Sequence, residues 1–120
     1  MSHHAVVWID HHVARIFQFG NDDLHEEIIK AHPHGLTRRH VVPKEADHAF
    51  IKSVVDELAS AEKILIVGPA TAKLELVRYL HKHAPKIEAN VIGIETIGHP
   101  TDPQIVAYAR QYFKASDRMG

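Results

Sequence analysis

The stretch from Lys63 to Leu80 constrains the fold more than any other part of the chain. Ile64-Leu65-Ile66-Val67 is an unbroken aliphatic run. Such a run suits a strand covered on both faces, as in a parallel sheet. Gly68-Pro69 ends it, because proline brings no N–H to the ladder and glycine permits a sharp turn. Beyond the turn the hydrophobic period lengthens. Ala70, Leu74, Val77 and Leu80 fall on one helical face, with Lys73, Glu75, Arg78 and Lys82 largely opposite. Strand, turn and helix in that order predict the centre of an α/β sandwich. The turn lies at the carboxyl end of the strand, where open α/β folds commonly place sites. It is not a phosphate loop, since it holds a single glycine and no Gly-Lys-Ser/Thr follows.

The other segments fit around this unit. Ala5 to Ile9 and Val13 to Phe19 read as strands, joined by the polar Asp10-His11-His12 and closed by Gly20-Asn21-Asp22-Asp23. Leu24 to Ala31 predicts a third strand, at an edge that tolerates its charges. An irregular segment, His32 to His40, leads to a helix opened by Pro43 and running to about Ala61. Glu45 and Asp47 sit in its first turn, and Phe50, Ile51, Val54, Val55 and Leu58 give it an inner face. Ile87 to Ile94 predicts the fifth strand. Thr101-Asp102-Pro103-Gln104 matches a capping box before a helix with Ile105, Val106, Ala109 and Phe113 inside, fraying from Ala115. The expected fold is a single α/β domain over residues 1–120, with order β-β-β-α-β-α-β-α. Its mixed five-stranded sheet carries helices packed on its faces. That arrangement is ribonuclease H-like.

Composition narrows the chemistry. The 120 residues carry a formal charge of −1, which gives no general electrostatic case for nucleic acid. No cysteine is present, which excludes disulfides, thiol catalysis and thiolate metal sites. No apolar run approaches ~20 residues, so no membrane span is expected. The opening Met1-Ser2-His3-His4 has no charged leader, and a cytoplasmic address is the default. No cofactor is expected.

A two-metal nuclease needs several converging carboxylates. Asp10, Glu45 and Asp47 are candidates, but they read better as a turn residue and helix-end charges. The 12 histidines are the unusual feature of the composition. His32, His34 and His40 share one loop, yet their spacing matches no standard zinc pattern, so a metal site stays undetermined. No serine has a nucleophile-elbow setting, and no catalytic residue is assigned. Gly68, Thr71 and Lys73 surround a helix start that can hold an anion, although a solvated lysine and a capping threonine are the plainer reading. Arg38, Arg39 and His40, with His32 and His34, form a small cationic patch suited to an RNA backbone.

The residues also carry a resemblance. Ala5-Val6-Val7-Trp8-Ile9-Asp10 with Ala14-Arg15-Ile16-Phe17, then Ile66-Val67-Gly68-Pro69-Ala70-Thr71-Ala72-Lys73-Leu74-Glu75-Leu76, then His99-Pro100-Thr101-Asp102, resemble short bacterial proteins known as translational machinery components. These are similar to the middle domain of archaeal and eukaryotic class-1 peptide release factors and of Pelota. In release factors the loop before the first helix carries Gly-Gly-Gln, which promotes peptidyl-tRNA hydrolysis. The matching loop here, His32 to Val42, has Gly35 alone and no glutamine. The resemblance therefore implies a scaffold that binds the ribosome or structured RNA without release activity. Two other readings stay open: a metal-dependent hydrolase or nuclease using Asp10 or the loop histidines, and a homo-oligomeric module paired through edge strands.

Overall fold

The computed structural model describes residues 3–20, 23–31 and 48–119. Its strands are β1 (His4–Ile9), β2 (Val13–Phe19), β3 (Leu24–Lys30), β4 (Lys63–Gly68) and β5 (Val91–Thr96). They form one five-stranded sheet in the order β3-β2-β1-β4-β5. β1 pairs antiparallel with β2 and parallel with β4, β3 is antiparallel to β2, and β5 is parallel to β4. The expected mixed sheet is what the chain builds.

Alternation along the two central strands assigns the layers. Val7, Ile9, Ile64 and Ile66 point to one face, which is covered by α1 (His48–Leu58) and α2 (Ala72–His83). Val6, Trp8, Leu65 and Val67 point to the other, covered by α4 (Asp102–Met119). All eight are buried, and burying each such side chain is worth about 2 kcal/mol. The aliphatic run is continuous because both faces of β4 need apolar cover.

In α1, Phe50, Ile51, Val54, Val55 and Leu58 are buried, as their spacing predicts. Pro43, Glu45 and Asp47 lie outside the described residues. α2 departs from expectation. Its inner face is Ala72, Leu76 and Leu80 together with Lys73, while Ala70 precedes the helix and Leu74 is 47% exposed. The helix starts two residues later than the pattern assumed, and Leu74 alone of that stripe turns outward, while Val77 and Leu80 still pack on the core.

Pro85 opens a further short helix, α3 (Pro85–Glu88), with the Ile87 and Glu88 N–H groups bonded to the Ala84 carbonyl. Ile87 therefore packs beside the α1–α2 core instead of starting β5, which runs later than expected. The capping box forms in both directions. The Thr101 N–H donates to Gln104 Oε1 at 2.9 Å, and the Gln104 N–H donates to Thr101 Oγ1 at 3.3 Å. α4 does not fray at Ala115; Asp117 pairs with Lys63 at the start of β4, tying the last turns to the sheet. Among the described residues, no helix is long and apolar enough to cross a membrane.

Candidate functional site

The parallel strands β1, β4 and β5 end side by side, and their connections make one rim. β1 leads into Asp10-His11-His12. Asp10 Oδ1 accepts the His12 and Val13 N–H groups at 2.8 and 2.9 Å, and the Asp10 N–H donates to the Val13 carbonyl at 3.0 Å. This carboxylate holds a turn, as its sequence context predicts. β4 leads into Gly68-Pro69-Ala70-Thr71. A Cβ on Gly68 would stand 2.2 Å from the Ile9 carbonyl oxygen, so only glycine lets β4 pass the end of β1 here. The Ile97 N–H donates to the Gly68 carbonyl at 3.1 Å and draws the end of β5 to the same place.

Gly68 thus closes β4, while Thr71 and Lys73 stand at the start of α2. Thr71 occupies the N-cap position, yet its side chain makes no capping bond; its carbonyl accepts the Leu74 and Glu75 N–H groups. Lys73 is not solvated. It is 6% exposed, and its ammonium donates to the Ala70 carbonyl across the turn. Its aliphatic stem joins the buried face of α2 while the charged end reaches back to the turn. The first turn of a helix also leaves backbone N–H groups without intrahelical acceptors.

Two contacts at this rim were not foreseen. His11 Nε2 lies 3.0 Å from Glu75 Oε2, linking the β1–β2 turn to α2. Across the sheet, Arg15 lies over the Trp8 ring and its Nη1 donates to Asp102 Oδ1 at 3.0 Å. Trp8 Nε1 donates to the Gly98 carbonyl at 2.7 Å, so its indole serves the core and the rim together. Glu26 of β3 joins the same corner. A hydrogen bond with Asp102, and then burial, hold the Glu26 carboxyl above the usual carboxylate range, and Arg15 opposes the shift.

His32, His34, Arg38, Arg39 and His40 lie outside the described residues. The segment that carries them joins α1 at His48, which lines a groove of about 190 Å³ between α1 and α2. Arg78 and Lys82 line it as cations, with Glu75 as the acid, and Ile51 contributes to the wall. Tyr79 is flanked by His48 at 6.3 Å and His83 at 4.6 Å between ring centroids. Among the described residues, no group of three or more metal-ligating side chains converges.

No family model matches the chain, and no curated protein matches it in sequence. Solved structures do match in fold. Pelota from Archaeoglobus fulgidus superposes with a TM-score of 0.67 at 12% identity, over 91% of this chain and 31% of that one. Pelota from Thermoplasma acidophilum gives 0.60 at 21% identity, over 88% of this chain and 30% of that one. The archaeal translation termination factor aRF1 gives 0.59 at 15% identity, over 98% of this chain and 39% of that one. The α/β architecture is therefore one found within Pelota and aRF1, and the chain spans about a third of their length.

Proposed function

We propose that this chain is a non-catalytic RNA- or ribosome-binding protein, related to translation factors and built on a ribonuclease H-like domain. We place it in the bacterial translational machinery component group and in the cytoplasm. The observation that carries the reading is the shared fold. The archaeal translation termination factor aRF1 superposes over 98% of this chain. The cationic residues Arg38, Arg39, His40, His34 and His32 stand where the resemblance puts the functional loop of release factors, without Gly-Gly-Gln. Arginine forks and imidazoles suit phosphate, and the groove between α1 and α2 adds Arg78, Lys82 and the Tyr79 ring. The turn of Gly68, Thr71 and Lys73 offers a second, separate place for an anion. Ribosome co-sedimentation tests the reading. Wild type pellets with ribosomes, and Arg38→Ala/Arg39→Ala pellets markedly less. Equal pelleting of the two proteins, or none of either, removes it.

A further inference from the structure

β3 is an edge strand with five of its seven residues exposed, among them Leu24 at 44% and Ile28 at 48%. Its register on β2 decides which backbone groups face outward. The Ala31 N–H donates to the His12 carbonyl at 2.9 Å, and Val13 stands opposite Lys30. In an antiparallel ladder alternate residues bond to the same neighbour. Ala31, Ile29, Glu27 and His25 therefore turn their N–H and C=O groups to β2. Lys30, Ile28, Glu26 and Leu24 turn theirs to the open edge.

We propose that β3 pairs antiparallel with β3 of a second copy of this chain, centred on Ile28, to make one sheet running through a two-fold axis. The outward groups fit this register. Ile28 faces Ile28 of the partner subunit, and Glu26 faces the partner's Lys30 twice by symmetry. These three pairs exchange about six backbone hydrogen bonds. The two glutamate centres do worse. Centring on Glu27 sets Glu27 against its own copy, and centring on Glu26 sets Glu26 against its own copy, whereas like charges directly opposite destabilise a pair. The other edge, β5, carries only Glu95 as a charged residue and gains no such match. The strand's charges thus favour the pairing centred on Ile28 over those centred on Glu27 and Glu26, while centring on Ile29 sets Ile28 against Lys30 and gains no charge pair.

The corner behind Glu26 supports the same partner. Arg15 donates to Asp102 beside Glu26, and the neighbouring Asp102 carboxyl holds the Glu26 carboxyl above its ordinary range. The partner's Lys30 brings a second cation to that pair of acids. Pairing also covers Ile28 on the face where Ile28, Lys30, Arg15 and Asp102 border an open hollow. This proposal is independent of RNA binding.

Analytical ultracentrifugation of the full chain across concentration, up to about 1 mM, tests it. Wild type forms a reversible dimer. Glu26→Lys and Lys30→Glu each weaken self-association by roughly tenfold or more, since each sets like charges opposite one another twice. Mixing the two variants in equal amounts restores association, because Lys at 26 then meets Glu at 30 across the axis. The double variant Glu26→Lys/Lys30→Glu dimerises as wild type does. A wild type that stays monomeric overturns the proposal. So do single variants that associate like wild type, or a mixture that remains monomeric. Recovery in the mixture separates a broken interface from a misfolded chain.

Discussion

β4 and β3 are strands of nearly equal length in one sheet, and they differ in almost everything else. In β4, Ile64 to Gly68 are buried; in β3, no residue is. The contrast separates two tasks. The centre of the sheet supplies stability, through side chains that touch both helical layers. Among the described residues, the edge leaves backbone polar groups without a sheet partner, which the centre does not.

The sharpest test of this division compares two isoleucines. Ile66→Ala leaves a cavity between β4 and the α1–α2 layer and costs about 4 kcal/mol. Ile28→Ala, on the exposed edge, costs no more than about 0.5 kcal/mol under conditions where the chain is monomeric. Urea unfolding of both variants measures the difference, and equal costs would erase the distinction between centre and edge.

Lys73 lies between the two regimes, buried in the core by its stem and polar at the rim by its ammonium. Lys73→Ala loses the packed stem and costs about 2 kcal/mol. Lys73→Met keeps the stem and costs about half as much or less. If both substitutions cost the same, the ammonium and not the stem holds the turn. At the start of α4, Thr101→Ala breaks one arm of the capping box and costs about 1 kcal/mol, read from the same unfolding curves.

The smallest effect is in pH. His4 stacks on Phe113 at 4.7 Å, and burial holds its imidazole below its ordinary value. The unfolded chain then takes up a proton before the folded one does. Stability contributed by this site is complete above the ordinary value of about 6.5 and falls as pH drops toward the lowered folded value. His4→Phe keeps a stacked ring and flattens this part of the acid-side decline. Melting temperatures at neutral and mildly acidic pH measure it, and an unchanged decline would show that other groups set the slope.

Much of the fold was legible because local pattern and tertiary need agree. The Ile64 to Val67 run, the Phe50 to Leu58 stripe and the Thr101–Gln104 box each satisfy one rule that the structure also satisfies. Legibility failed where a few residues of loop set a phase. The turn after Gly68 fixed where α2 begins, with Leu74 outward and Lys73 inward. Pro85 started α3 and displaced the start of β5. The contacts of the candidate site were hidden for another reason. His11 and Glu75 are 64 positions apart, and Arg15 and Asp102 are 87 apart, so only the folded sheet brings them together.

The most direct test of the division reads stability and docking on the same two variants. Melting temperature and ribosome pelleting are measured for Ile66→Ala and for Arg38→Ala/Arg39→Ala, with pelleting well below both melting transitions. The account predicts that Ile66→Ala melts lower and pellets like wild type, while the arginine pair melts like wild type and fails to pellet. Pelleting that follows melting temperature, with the arginine pair unchanged in both, would contradict it.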